Sequence, residues 1–274
     1  MLNGMSVFAE NGDVLSINIP EGTNGLLITE ITGLDPVAVS LTSAAYGQLD
    51  GVQHQSSRRD SREITLSITI QKTYGTTSVE YRRHWLYRWF VPNQELTLQF
   101  DDSRLGSVQI KGRVETVSSP LFEKKPFMEI SIVCDQPDFV AITKVERTAL
   151  FNEDVLLDYE GSVATGVDVE VLKWANASSN TQFRNTPGVG IPQIMVFPGS
   201  IPANELLRFS TTPREKRIRL QKENGSITTA LSRLATDSKW ISLMPGDNTF
   251  KATTQTANTV KSYRISYFNR YGGL

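Results

Sequence analysis

ITGLDPVAVSLTSAAYGQLDGVQHQSSRRDSREITLSITI, residues 31–70, decides how the first half of the chain folds. Apolar residues alternate with polar ones on both sides of a polar middle that holds Asp50-Gly51 and three arginines. A period of two is typical of strands with one buried face. The stretch therefore predicts two strands joined by a long, exposed, basic loop. The residues expected to face the core are Val37, Val39 and Leu41, then Ile64, Leu66, Ile68 and Ile70.

Length and composition limit the classes of protein to which the chain can belong. Its 274 residues suffice for two domains, and a net charge of −1 gives no reason to expect tight, salt-sensitive binding to nucleic acid. Cys134 is the single cysteine, which excludes an internal disulfide and a zinc site built from thiolates. No export signal or membrane-spanning run is present, so we expect a soluble protein made in a reducing cytoplasm without membrane insertion.

The remainder of the first half reads as strands around one helix. Asn11-Gly12 is a turn signal inside residues 7–19, and further strands are expected at residues 95–101, 108–117 and 126–134. The helix is predicted over residues 79–90 behind a Thr77-Ser78 cap. We expect an aromatic stripe to pack this helix onto the sheet and a basic side to face away. The stripe consists of Tyr81, Trp85 and Trp89, and the basic side of Arg82, Arg83 and Arg88.

The second half reads as an antiparallel β-sandwich. Short alternating runs recur at regular spacing, for example at Val167, Val169 and Val171, and Asn224-Gly225 marks another hairpin turn. We place the boundary between Phe139 and Phe151 and divide the chain into domains at residues 1–145 and 146–274. The fold class predicted is mainly β.

Residues that could carry chemistry are few, and each has an ordinary structural interpretation. The only histidines, His54 and His84, lack a local partner that would tune them, and adjacent carboxylates at Asp101 and Asp102 favour a turn over an acid pair. Residues 187–192, PGVGIP, lack the lysine of a phosphate-binding loop. We interpret Cys134 as buried and inert, and the arginines at 58, 59, 62, 82, 83 and 88 as a solvated or interface-lining surface. We predict no catalytic, cofactor-binding or metal-binding residue.

With its parts in this order, the chain resembles the distal tail protein family of long-tailed phages. In the first half the resemblance rests on Ile31-Thr32-Gly33-Leu34 with Pro36, Asp50-Gly51 before Arg62-Glu63-Ile64, Tyr81-Arg82, Lys111-Gly112-Arg113-Val114, and Ile132, Cys134, Pro137 and Phe139. In the second half it rests on Tyr159-Glu160-Gly161-Ser162, Gly166, Trp240, Pro245-Gly246-Asp247-Asn248, and residues 263–272.

This resemblance implies a structural virion protein of the tail tip or baseplate, without enzymatic activity. It implies a barrel-like N-terminal domain with one helix that closes into a hexameric ring, leaving a channel for DNA, and a galectin-like C-terminal sandwich outside it. The implied partners are further copies of the chain, the tail tube protein, a baseplate hub or tip protein and receptor-binding proteins. No sequence-specific nucleic-acid binding is implied.

A second hypothesis remains open beside the structural one. A β-sandwich with Trp174 and Trp240 could bind or cleave carbohydrate on the host surface. We interpret both tryptophans as core residues, because large aromatic side chains in short strands usually fill a sandwich. The second half also contains no histidine, which lectins of the galectin type use together with arginines and a tryptophan.

Overall fold

The computed structural model describes residues 1–45, 47, 50–72, 75, 77–172, 178–201, 205–255 and 262–274. These residues form two compact units, one of Met1–Ile142 with Tyr271–Leu274 and one of Thr143–Arg270. The four residues Tyr271–Leu274, which the sequence led us to assign to the second domain, thus belong to the first unit. The prediction of a mainly β fold is confirmed.

The first unit contains most of the regular structure that the sequence predicts for it. Its elements are β1 (Leu2–Ala9), β2 (Val14–Asn18), β3 (Leu26–Thr32), β4 (Val39–Ala45), β5 (Val52–Arg59), β6 (Arg62–Ile70), α1 (Val79–Trp89), β7 (Glu95–Asp102), β8 (Gly106–Ser118), β9 (Phe127–Cys134) and the start of β10 (Phe139–Leu150). The strand β6 buries its four alternating apolar residues as expected, because that face packs into the core of the first unit.

The main sheet of the first unit is antiparallel, in the order β2-β1-β7-β8-β9-β6-β3. No ladder joins β2 to β3 among the described residues, so this curled sheet does not close into a barrel. Both β2 and β3 therefore present one unpaired edge of backbone donors and acceptors.

The strand predicted around residues 37–41 is not a core strand, so that prediction was wrong. Val39 and Leu41 lie in β4, which pairs only with β5, and both side chains are exposed. The position beside β6 is taken by β3. The chain leaves the main sheet at Gly33, whose φ of +81° favours glycine and whose added Cβ would lie 1.9 Å from the Glu63 carbonyl oxygen.

The helix α1 begins at the predicted cap, and Trp85 and Trp89 of the predicted aromatic stripe pack against the core, but Tyr81 does not. The Ser78 hydroxyl accepts the Tyr81 N–H at 3.2 Å, as expected for a cap, yet the Tyr81 ring is 64% exposed. Arg82 and Arg83, expected on the basic outer side, are buried beside Leu86. Their guanidiniums donate to the carbonyl oxygens of Gln71 at 2.6 Å and Pro120 at 3.2 Å. Each buried charge is therefore hydrogen-bonded, as a buried arginine requires.

The second unit is an antiparallel sandwich. After β10 come β11 (Asp154–Tyr159), β12 (Thr165–Gly166), β13 (Asp168–Val171), β14 (Ser178–Pro187), β15 (Gln193–Ile201), β16 (Leu206–Ser210), β17 (Arg217–Gln221), β18 (Ile227–Thr229), β19 (Ser242–Leu243), β20 (Gly246–Thr253) and β21 (Ser262–Tyr271). One sheet has the order β18-β17-β16-β13-β21-β10 and the other β11-β20-β14-β15. Aromatic rings from both sheets, including Phe183, Phe209, Phe250 and Tyr263, contact one another in the core.

Candidate assembly interface

Arg62, at the start of β6, is a buried arginine with four backbone hydrogen-bond acceptors. Its guanidinium donates to the carbonyl oxygens of Pro137 at 2.7 Å, Asp35 at 2.6 Å and Gly272 at 2.6 Å, and also to that of Gly33. Only 2% of the residue is exposed. Arg62 therefore fixes three segments that are distant in sequence, and our interpretation of it as part of a solvated or interface-lining surface was wrong.

The surroundings of Arg62 explain why a charge is tolerated there. The guanidinium carbon lies 4.5 Å from the centroid of the Phe139 ring, which is an attractive arrangement for a cation. Burial lowers the pKa of Arg62 from its ordinary value, although the carbonyl oxygens and the nearby Asp138 favour the charged form. Three residues that carried part of the family resemblance therefore contact Arg62, namely Gly33, Pro137 and Phe139.

The strands β4 and β5 form a separate two-stranded hairpin, which we call the projecting hairpin (Val39–Arg59). It is tethered near its base, where Arg59 forms an ion pair with Asp138 at 2.7 Å and the Ser40 hydroxyl donates to Asp60 at 2.8 Å. Beyond that base, β4 and β5 pair only with each other among the described residues. A lone two-stranded hairpin is marginally stable in water, so this one is suited to packing against another surface.

One face of the projecting hairpin exposes several apolar side chains among polar ones. The register pairs Val39 with Arg59, Leu41 with Ser57 and Ala45 with Val52, which places these residues on the same face. Leu41 is 68% exposed and Val52 63% exposed. Sequence reasoning assigned Val39 and Leu41 to the core because alternation looks the same whether a strand faces its own core or another molecule. Asp50-Gly51, halfway along the stretch, was the signal for a hairpin.

The other residues singled out by sequence are distributed over the chain without forming a reactive centre among the described residues. His54 is exposed on β5 and His84 is exposed on α1. Asp102 caps a turn by accepting the backbone N–H groups of Arg104 at 2.8 Å and Leu105 at 3.0 Å. Within the described ranges no group of His, Cys, Asp and Glu residues could hold a metal ion, and no helix is long and apolar enough to cross a membrane.

Cys134 is buried, as predicted. Its side chain is fully covered beside Ile130 and Ile132, and burial raises the pKa of the thiol to about 12. A thiol that remains protonated and covered is a poor nucleophile. The inert interpretation of Cys134 is therefore supported by its surroundings.

The surroundings of Trp240 do not support the carbohydrate hypothesis. Trp240 packs against the core of the second unit and is partly exposed, with the Lys216 ammonium 5.3 Å from its ring centroid. A cation therefore occupies a ring face on which a sugar would stack. Trp174 lies outside the described residues.

Comparisons with known proteins point to phage tails. Residues 23–132 match the sequence profile of the Sipho_tail family, described as a phage tail protein RIFT-related domain. The matched segment contains the projecting hairpin, Arg62 and α1. No curated protein sequence matches the chain.

The fold of the whole chain is similar to that of a phage hub protein. The structure of the SPP1 Dit protein, described as a paradigm of the hub adsorption apparatus in phages that infect Gram-positive bacteria, matches with a TM-score of 0.67 and 13% sequence identity. The match covers 96% of this chain and 98% of the SPP1 protein. A chain of the phage P2 baseplate in its activated conformation with calcium matches with a TM-score of 0.45 and 8% identity, over 97% of this chain and 98% of its own.

These findings confirm the resemblance that the sequence suggested, through one domain family and one fold. The profile covers the N-terminal part, and the fold likeness extends through both compact units. Residues 23–132 thus match a phage tail protein RIFT-related domain, and the chain has a fold similar to that of the SPP1 Dit protein.

Proposed function

We propose that this chain is a non-enzymatic virion protein that forms a closed, hexameric ring at the distal end of a phage tail tube. The ring joins the tube to the baseplate hub or tail tip and leaves a channel through which DNA passes. In this arrangement the first unit builds the ring, and the second unit, as a galectin-like outer domain, is available to receptor-binding proteins. The phage tail domain and the Dit fold support a structural tail role.

The observation that carries the proposal is the projecting hairpin. It exposes Val39, Leu41 and Val52 on one face while the main sheet of the same unit leaves β2 and β3 with unpaired edges. Such surfaces are a liability for a protein that stays monomeric. Head-to-tail packing of each copy on the next covers them, and a rotation that closes produces a ring without an open filament.

Native mass spectrometry and negative-stain imaging of a hairpin variant test this proposal. We expect the unmodified chain to form rings at micromolar concentration and the double variant Leu41→Lys, Val52→Lys to remain monomeric, because two buried charges oppose packing. The thermal midpoint of the monomer should be unchanged, since both side chains are exposed within one copy.

Leu156→Lys is the matched control, because Leu156 is 66% exposed on β11 of the second unit. This control should still form rings. A chain that stays monomeric at every concentration, alone and with its tail tube protein, would contradict the proposal. So would rings that persist in the double hairpin variant.

A further inference from the structure

A charged groove crosses the outer face of the larger sheet in the second unit. It has a volume of about 370 Å³ and lies over β10, β21, β13, β16 and β17. Alternation along these strands sends Phe209 and Ile265 into the core and leaves ionic and hydroxyl side chains on the other face. The groove therefore has a polar floor supported by a well-packed apolar layer.

Most of the charges in the groove neutralise one another. Glu170 on β13 accepts hydrogen bonds from Arg208 at 2.6 Å and from Arg264, its cross-strand neighbours on the two sides. Lys144 lies 3.6 Å from Asp168. Burial alone would raise the pKa of Glu170. The two arginines more than offset this effect and hold the pKa below its usual value. The acidic side chains of the groove are thus already paired.

Arg219 on β17 is different, because it has no ion-pair or hydrogen-bond partner among the described residues of the groove. Its directly opposed cross-strand neighbour is Arg208, whose guanidinium is bound to Glu170 on the other side of β16. Like charges at directly opposed positions destabilise a sheet. Among the described residues Arg217, two residues earlier on the same face, is paired only with Glu215, at 3.7 Å. The described part of the groove therefore supplies no anion to Arg219.

Ser210 provides a second, independent observation at the same end. The residue is only 1% exposed, and its hydroxyl oxygen is buried without a hydrogen-bond partner in the part of the chain that the structure describes. It lines the groove, lies opposite Arg217 and is diagonal to Arg219. A buried hydroxyl without a partner has a cost of about 1–3 kcal/mol, which a bound hydrogen-bonding group would remove.

We propose that Ser210, Arg217 and Arg219 form a binding subsite for a carboxylate on an acidic segment of a partner protein. The guanidinium groups supply a fork of donors for the carboxylate, and the serine hydroxyl supplies a further donor. The rest of the groove favours a protein over a polyanion. Glu146, Asp168 and Glu170 line it, and a chain carrying only negative charges would meet these carboxylates. This subsite does not depend on ring formation.

Isothermal titration of the 274-residue chain with a hexapeptide of alternating glutamate and lysine residues tests the proposal. We expect saturable binding that weakens about tenfold in Arg219→Gln and in Ser210→Ala, the loss expected for one hydrogen bond to a charged group. Arg184→Gln is the matched control, since Arg184 is an exposed arginine on β14 of the other sheet, and it should bind like the unmodified chain.

Thermal unfolding of Ser210→Ala distinguishes a serine that binds a ligand from one that only stabilises the fold. Because the hydroxyl has no partner, its removal should leave the midpoint unchanged or raise it, and a lowered midpoint would contradict the proposal. Absence of binding of this glutamate-lysine peptide, or equal weakening in Arg184→Gln, would overturn it. Binding of polyphosphate in preference to the peptide would overturn the assignment of a protein partner.

Discussion

At the scale of single residues, Arg62 holds three segments of the first unit together. Replacing it with Met should lower the free energy of unfolding by about 3 kcal/mol or more, because four backbone carbonyl oxygens lose the donor that a buried side chain supplies. Urea unfolding followed by tryptophan fluorescence measures this loss.

The control for Arg62→Met is Arg104→Met, which removes an exposed arginine from a turn of the same unit. It should change the unfolding free energy by no more than about 0.5 kcal/mol. Arg62→Lys should be nearly as unstable as Arg62→Met. A single ammonium group cannot donate to all the carbonyl oxygens that the planar guanidinium reaches in several directions. Equal losses in the Arg62 and Arg104 variants would contradict the role assigned to Arg62.

Glu170 should make the second unit sensitive to acid. Because Arg208 and Arg264 lower its pKa in the folded state from the ordinary 4.5, the carboxylate adds stability that is present above that value. This stability is lost as the pH falls through the folded-state pKa. Glu170→Gln should therefore be less stable at neutral pH and show a flatter decline under acid, measured by urea unfolding between about pH 6 and pH 3. Glu123→Gln, which alters an exposed carboxylate of the first unit, is the control and should leave the free energy of unfolding at neutral pH unchanged.

Sequence reasoning predicted burial well for apolar residues and poorly for arginines. Cys134 and Ile64 were correctly predicted to be buried, because apolar side chains on the core face of a strand are usually removed from water. Arg62, Arg82 and Arg83 were assigned to a surface because charge is expensive to bury. Their carbonyl partners come from segments far along the chain, and no local pattern reveals such partners before the fold is known.

At the scale of elements, the projecting hairpin should be the least protected part of the main chain in a single copy. Its strands pair only with each other, whereas β6 is hydrogen-bonded on both sides by β3 and β9. Hydrogen exchange of dilute monomer should label β4 and β5 well before β6, and ring formation should slow that labelling. The exchange of β6 itself is the internal control. A hairpin as protected as β6 in the monomer would contradict the assembly role.

The sequence indicated where strands and turns lie better than which strands pair. The turns at Asn11-Gly12 and Asn224-Gly225 and the helix cap at Ser78 were all found, because each depends on a few neighbouring residues. The pairing of β6 with β3 depends on the chain leaving the sheet at Gly33, which alternation alone does not indicate. The apolar face of the projecting hairpin was missed for the same reason.

At the scale of the molecule, residues far apart in sequence complete the first unit. Removal of Gly272–Leu274 should destabilise that unit, because the Gly272 carbonyl accepts from Arg62 and the Leu274 N–H donates to the Leu34 carbonyl at 3.0 Å. Hydrogen exchange should show faster labelling of β6 and β9 and unchanged labelling of β14 and β20. Uniformly faster exchange in both units would contradict the assignment of Tyr271–Leu274 to the first unit.

The docking of Gly272 on Arg62 has a consequence for synthesis. These two residues are 210 positions apart, so a ribosome adding about 5–20 residues per second needs some tens of seconds or less between them. During that interval the nascent first unit has one acceptor too few around its central guanidinium. The hydrogen-bonded centre around Arg62 is therefore completed only after the second unit has also been translated.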